Sequence, residues 1–384
     1  MNRWLFGVLI FAVSVIGLSM GTTLPLVALR LHEAGASSLE IGVISALPAA
    51  GMILSAFLVT PLSRRFSGRT LYLACFALCA VSVAALQLPT DSLTVLSLAR
   101  LILGIAMGVA VILGESWVNE LCDERKRGQV VALYAACFTG FQLLGPALIG
   151  LLGAASPWPA LLVSAANLLS LAAIWQSLPE QLSEHDAHSS TGFSVIGFIR
   201  VAPALCTGVL FFAFFDSVVL SLFPVYASGH GYAVGIAAFM VTIILLGDML
   251  FQVPLGWLSD RWVRTRLHLC CGLLALGIGG ALPWLIQVPL LLWPALVVLG
   301  AVAGGVYTLA LVLIGERFSG QELVTANASV GLLWGVGSLV GPLSSGLLMD
   351  LGPNGLPLAL SLAAALFVTT AVVSGLRMRN TCVA

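Results

Sequence analysis

Apolar runs close to twenty residues long follow one another along nearly the whole chain, and this pattern restricts the fold more than any motif does. Twelve runs can be marked, at 4–30, 38–62, 70–90, 93–119, 128–153, 157–178, 200–227, 233–258, 267–287, 290–315, 323–350 and 355–376. Each is near the ~20 residues an α-helix needs to cross the hydrocarbon core of a bilayer. Charged residues are 8% of the 384 and hydrophobic ones 60%, against roughly 25% charged in a soluble domain. So little polar surface cannot cover a water-soluble globule, so lipid is the expected solvent. The runs are continuous, without the two-residue alternation of a membrane barrel, so helices are expected. The first run, after Met1-Asn2-Arg3, is too long for a signal-peptide core and lacks a small-residue cleavage site, so it is expected to be retained as a span.

Twelve spans would put both termini on one side. Arg3, Arg64, Arg65, Arg69, Arg125, Lys126, Arg127, Arg200, Arg261, Arg264, Arg266, Arg317, Arg377 and Arg379 then share that side, 14 of the 16 basic residues. Arg30 alone falls opposite, and Arg100 lies inside a span. The positive-inside rule makes the arginine-rich side the cytoplasm. The zero net charge thus conceals a strong sidedness, and nucleic acid is not an expected partner. Trp158, Trp175, Trp284 and Trp293 sit at span ends, as an interfacial aromatic belt requires. The eight cysteines show no CxxC spacing, which speaks against a disulfide framework or a zinc site.

The stretch 179–199, containing EQLSEHDAHSSTG, is the least hydrophobic and divides the chain six spans from six. LPLVA at 24–28 recurs as FPVYA at 223–227, and LSRRF at 62–66 as LSDRW at 258–262. Gly114-Glu115 recurs as Gly315-Glu316, and Gly145-Pro146-x-x-x-Gly150 as Gly341-Pro342-x-x-x-Gly346. The offsets are 199, 196, 201 and 196 residues, in one order. The expected organisation is an N-terminal six-helix bundle (1–178), a cytoplasmic linker (179–199) and a C-terminal six-helix bundle (200–384). Duplicated halves would form a cleft and offer a substrate to each side by rocking.

On these residues the chain resembles the major facilitator superfamily along essentially its whole length. Gly256-x-Leu258-Ser259-Asp260-Arg261-x-x-Arg264 looks like that family's signature loop, with Val263 in place of the usual last glycine. The first-half copy, Thr60-Pro61-Leu62-Ser63-Arg64-Arg65, has Arg64 where an acid is usual. Arg100-x-x-x-Gly104-x-x-x-Gly108 resembles the second motif, and Gly140-x-x-x-x-Gly145-Pro146 the exporter motif with one extra residue. The run from Gln252 to Arg261 is similar to the YcaD-like branch of bacterial efflux permeases. The resemblance implies an all-α membrane protein of two pseudo-symmetric six-helix bundles. It also implies a multi-pass monomer in a bacterial inner membrane with both termini cytoplasmic.

An ionisable side chain within a span costs about 2.5–3.5 kcal/mol on insertion scales, so each needs a reason. Asp216 lies mid-span in LFFAFFDSVVLSLFP. Burial disfavours its charged form, so a carboxyl that is neutral when occluded and charged when wet could couple protons to movement. Substrate contact or a pairing with Arg100 are the alternatives. Arg100 keeps its charge and could tune a carboxylate, clamp an anion or lock helix ends together. Asp248 reads equally as a second protonation site and as a gate partner. Glu115, fifteen residues after Arg100, stands about 22 Å further along the axis, too far to pair with it. Glu115 and its repeat mate Glu316 are placed near the cytoplasmic ends, to meet Arg65 and Arg69 in one half and Arg261 and Arg264 in the other. Asp260 could cap a neighbouring helix N-terminus at the same edge. These residues form the expected cytoplasmic gate.

Thr22, Thr23, Ser45, Gln142, Tyr307, Thr308, Asn327 and Trp334 are uncharged polar or aromatic candidates for lining the cleft, with helix–helix hydrogen bonding as the plain alternative. The two Gly-Pro pairs read as matched compliant points. The five histidines show no metal-ligand spacing, and no GxxxxGK[ST], HExxH or GxSxG occurs in a credible setting. Neither a cofactor, nor a metal, nor an enzymatic reaction is expected. The reading is a secondary transporter working by alternating access, with a small molecule and protons as partners and the bilayer as solvent. Export of a drug-like or amphipathic metabolite is the first form. Import or facilitated passage of a small metabolite or organic anion held by Arg100 is the alternative.

Overall fold

The computed structural model describes residues 3–87, 92–121, 127–178, 195–318 and 320–381. Most of the expected linker falls outside these residues. Every element among them is an α-helix. Twelve helices are long and apolar enough to span a membrane. In the first half of the chain these are α1 (Arg3–Glu33), α2 (Ser38–Ser63), α3 (Gly68–Ala85), α4 (Leu93–Leu121), α5 (Arg127–Leu152) and α6 (Trp158–Ser177). The second half contributes α8 (Pro203–Ser221), α10 (Val234–Ser259), α11 (Arg264–Leu285), α12 (Pro289–Arg317), α13 (Gly320–Leu351) and α14 (Gly355–Thr381).

One boundary differs from expectation. The run 200–227 is not one helix but three: α7 (Val195–Val201), α8, and α9 (Phe223–Gly229). Pro203 opens α8 and Pro224 opens α9, each near the first helical position. Proline lacks the N–H that would continue the preceding ladder, and its fixed φ suits a helix start. The residue between α7 and α8, Ala202, leaves helical conformation at φ −132° and ψ 54°.

The chain forms two compact units. One comprises Met1–Ala36, Val43–Ala187 and Tyr232–Thr242, the other Ser37–Gly42, His188–Gly231 and Ile243–Ala384. Within the first, α1 packs on α4, α5 and α6, and α3 on α4 and α6. Tyr72 meets Phe76 and Trp117 edge to face at 5.2 and 5.0 Å, beside the buried Leu9, Leu103 and Met107. Within the second, α8 packs on α12, α13 and α14, and Phe198 meets Phe318 at 5.5 Å. The first turn of α2 belongs to this unit. Ser37 and Glu40 exchange hydrogen bonds in a capping box, and the Asp350 carboxylate accepts from the N–H groups of Ser38 and Leu39 at 2.8 and 3.1 Å.

Helices in lipid gain no hydrophobic drive from meeting each other, so close van der Waals approach must hold them. Glycine supplies it, and supplies it twice. A methyl group on Gly104 of α4 would fall on the carbonyl of Pro48 in α2; one on Gly300 of α12 would fall on that of Ile244 in α10. Both partners advance by 196 residues, from 104 to 300 and from 48 to 244. Gly145 meets the backbone of Gly21 between α5 and α1, and Gly341 meets Phe214 and Ser217 between α13 and α8. The sequence repeat is therefore a repeat of packing. The glycines of the Gly-Pro pairs serve as contact points, and α5 and α13 run on through Pro146 and Pro342.

Arg30, the basic residue apart from the rest, fastens one end of the first unit. Its guanidinium donates to the carbonyls of Ala154, Leu86 and Ser156 and to Gln87 Oε1, at 2.8–3.1 Å. It ties together the chain leaving α1, α3 and α5.

Gly300→Ala should destabilise the detergent-solubilised protein by about 1–3 kcal/mol, the usual cost of overpacking. Gly277→Ala, where nothing stands within 4 Å, should leave the unfolding midpoint unchanged or raise it. Equal midpoints in thermal unfolding would contradict the role given to the Gly300 contact.

Candidate functional site

In the first unit, α4 carries Arg100 against α1. The side chain is fully buried. Its Nη1 donates to the carbonyl of Thr23 at 3.1 Å, while Nε and Nη2 have no hydrogen-bond partner among the described residues. A buried guanidinium left half-satisfied is expensive, because desolvation is not repaid by Coulomb or hydrogen-bond energy. Two nitrogens, with three N–H groups between them, are thus held ready for an acceptor. Thr22 and Thr23 are buried on α1, and the Thr22 hydroxyl also lacks a partner among the described residues. Gln142 on α5 is buried too, its backbone in contact with Gly21. Arg100, Thr22 and Thr23, singled out from sequence, are therefore gathered past the middle of α1, with Gln142 on the neighbouring helix.

The second unit holds the acids. Asp248 on α10 is 6% exposed. Its described partner is Gln252 Nε2, at a long 3.4 Å. No basic side chain bonds it among the described residues. Its carboxylate rests on Gly304 of α12, and a methyl there would occupy the place of Oδ1. Only glycine at 304 leaves the carboxyl room. The 196-residue offset maps Asp248 back onto Met52 and Arg100 forward onto Leu296. Each buried charge therefore belongs to one unit alone, although the packing around it is duplicated. Asp216 is buried on α8, 3% exposed.

Tyr307 and Trp334 come together, with Phe212 as the third member of the group. Phe212 and Tyr307 stack at 4.9 Å, and Trp334 meets both edge-on at 5.6 and 5.5 Å. Phe212 was not among the residues singled out from sequence; it stands four positions before Asp216, one helical turn away, a spacing legible in FFAFFD. Thr308 is half-buried and Asn327 is exposed.

At the arginine-rich ends the pairings differ between the units. In the second, Arg264 reaches both Glu316 and Asp260, the latter at 2.8 Å, and Arg261 lies over the Trp257 ring at 3.7 Å. Asp260 thus bonds one turn along its own connection rather than capping another helix. In the first, Glu115 accepts from the Tyr134 hydroxyl at 3.2 Å, whereas Arg65 or Arg69 was the expected partner. Arg69 instead donates to the Trp175 carbonyl at 2.6 Å and lies over its ring. Arg64 and Arg65 are exposed. With Arg64 in the place of the acid, this half lacks the Asp260-type contact.

Sequence reasoning passed over His268. It lies inside the expected span 267–287, is 2% exposed, and its Nε2 has no partner among the described residues. A buried ring nitrogen without a partner carries a cost of its own, smaller than that of a charged carboxylate because the imidazole can stay neutral. Among the described residues no cluster of His, Cys, Asp and Glu is arranged to hold a metal ion.

The Major Facilitator Superfamily model matches residues 9–244 and 205–380. An uncharacterized MFS-type transporter of Bacillus subtilis, YfkF, is 24% identical over 365 residues, covering 91% of this chain and 90% of the relative. The MFS-type transporter YcaD of Escherichia coli is 26% identical over 335 residues, covering 85% and 84%. Among solved structures, the nucleoside transporter NupG superposes with a TM-score of 0.73 at 15% identity, covering 97% of each chain. A D-xylose-proton symporter reaches 0.69 at 19% identity, covering 96% of this chain and 95% of its own. At such identities these structures speak for the fold alone.

Arg100→Met removes the half-satisfied charge and keeps the volume. The variant should be at least as stable as the parent, since replacing buried ionic groups with apolar ones is often neutral or stabilising by about 1–4 kcal/mol. Small carboxylates and phosphates should raise the unfolding temperature of the parent and not of the variant. A lower melting point for Arg100→Met would instead make the arginine a structural lock.

Proposed function

The chain belongs to the major facilitator superfamily, and we propose that it is a proton-coupled secondary transporter exporting an amphipathic small molecule across the bacterial inner membrane. Family membership makes it a non-enzymatic transporter of a small molecule. The observation that carries the coupling is Asp248: an aspartate inside a span, 6% exposed, with one long hydrogen bond and glycine-tight packing. A permanent charge is costly there, and exchange of a proton removes that cost at one step of each cycle. Asp216, buried on α8, is the second proton carrier in this reading.

The cycle follows from those two acids. Protons from the outer side neutralise them, the neutral form changes orientation, and the protons leave to the cytoplasm while substrate leaves outward. A membrane potential adds about 2.3 kcal/mol per charge per 100 mV to any step that moves net charge. The Phe212–Tyr307–Trp334 group supplies apolar, polarizable surface suited to an aromatic or amphipathic substrate. The arginine count supports a cytoplasmic position for both termini in this reading. There, the Arg264–Glu316 and Arg264–Asp260 pairs act as the gate of the second half, with Glu115 and Tyr134 its counterpart in the first.

A second reading has its own observation. The two nitrogens of Arg100 unpartnered among the described residues suit an anionic substrate, for which uptake with protons is the natural direction. Proteoliposomes separate the two. Ethidium serves as the amphipathic probe, benzoate as the anionic one, and a trapped pH dye reports protons. Ethidium exchanged against protons supports export; benzoate moving with protons supports the second reading.

Asp248→Asn should abolish probe-dependent proton movement while the protein folds and binds the probe. Proton movement at the parent rate would remove Asp248 from the coupling path, and the same comparison judges Asp216→Asn. Asp260→Asn and Glu115→Gln should change how fast cytoplasmic-side cysteine labels react within the spans. Labelling rates identical to the parent's would remove these residues from the gate.

A further inference from the structure

At the junction of α7 and α8, beside the adjoining ends of α11, α12 and α14, the second unit contains a cavity of about 440 Å³. The alternation of spans places it on the arginine-rich side. Among the described residues, three charged ones line it: Arg200 on α7, and Glu316 and Arg317 on α12. Glu316 is engaged by Arg264, which leaves Arg200 and Arg317 as the charges this described lining offers a ligand. The hydroxyls of Thr265 and Ser374 also line it, and Leu205 and Leu313 contribute an apolar wall.

His268 makes this more than a basic rim. It is 2% exposed, lines the cavity, and its Nε2 has no partner among the described residues. The ring is seated deliberately: a methyl on Gly208 would come within 3.0 Å of Nε2, and Phe367 lies 4.7 Å from the ring on another side. Nε2 itself is closed off against α8 at Gly208, so the ring contributes to the inner wall of the cavity and leaves ligand bonding to the arginines and hydroxyls around it.

We propose that this cavity binds a phosphate group, its oxygens taken by Arg200 and Arg317, with Thr265 and Ser374 hydrogen-bonding the ester oxygens or the group attached to them. Guanidinium forks match phosphate geometry and hold it with charge-assisted bonds. A membrane lipid is the source the apolar wall favours, since its chain can lie along Leu205 and Leu313 while anionic lipids gather on the cytoplasmic face. A soluble phosphate would use the same oxygens without the chain. None of Arg100, Asp216 and Asp248 is among its described lining residues, and its occupancy does not depend on what is transported.

The test uses the full-length protein, delipidated in detergent. Dioleoyl phosphatidylglycerol, dioleoyl phosphatidylcholine and inorganic phosphate are titrated separately, with retained adducts followed by native mass spectrometry and protection by thermal unfolding. Phosphatidylglycerol should bind and protect, and phosphatidylcholine should do so more weakly. Arg200→Gln and Arg317→Gln should each weaken phosphatidylglycerol binding about tenfold, as loss of one charge-assisted bond implies. Arg266→Gln, an exposed arginine on the same side that does not line the cavity, should match the parent. Protection by inorganic phosphate as strong as by the lipid, and lost with the same arginines, keeps the phosphate site and assigns it to a soluble ligand. Phosphatidylglycerol binding unchanged in both single Gln variants, or no binding in the parent, overturns the proposal. Each variant's elution volume, compared with the parent's, guards against misfolding being read as lost binding.

Discussion

An apolar solvent removes the force that organises soluble proteins. Helices of this chain cannot gain by hiding leucines from lipid, so they are held where backbones touch. Gly104 on Pro48, Gly300 on Ile244, Gly21 on Gly145 and Gly341 on Phe214 are such contacts, and most admit no side chain at all. The two units inherit these contacts from one repeated segment. Polar side chains add local links: Asn167 bonds Ser19 across α6 and α1, and several serines and threonines bond the carbonyl four residues back.

The same solvent makes every buried charge conspicuous. Arg100 and Asp248 sit in copies of one packing arrangement, yet the repeat mate of the first is Leu296 and that of the second is Met52. The scaffold is symmetric and the charges are not. A symmetric frame is what a two-sided transporter needs for movement, and the ionisable groups are what distinguish one unit of that frame from the other. Gly304 joins the two roles, being both a helix contact and the space into which the Asp248 carboxylate fits.

Much of this is legible in the chain. The run lengths and the arginine count specify twelve helices and a sidedness without any pairing information. The repeat of Gly-Pro and Gly-Glu pairs announces duplication, and a charge within a span is visible wherever it occurs. The division of the seventh span was legible too, in Pro203 and Pro224, but a reading based on hydropathy passes over it because proline and its neighbours there remain apolar. Pairings were harder. Among the described residues Glu115 reached Tyr134 and not an arginine, and Arg69 reached the backbone carbonyl of Trp175. A hydrogen-bonding choice of that kind depends on a few ångströms of helix rotation, which hydrophobic pattern leaves open.

The amino-acid order alone therefore determined the solvent, the number of spans, the duplication and which side carries the arginines, because each follows from transfer energies that are local and additive along the chain. The tertiary structure decided which glycine faces which carbonyl, that two nitrogens of Arg100 are left over, that Phe212 completes an aromatic group, and that Arg200, Arg317 and His268 line one cavity. These depend on distances between residues tens to well over a hundred positions apart in the chain, and only packing sets those distances.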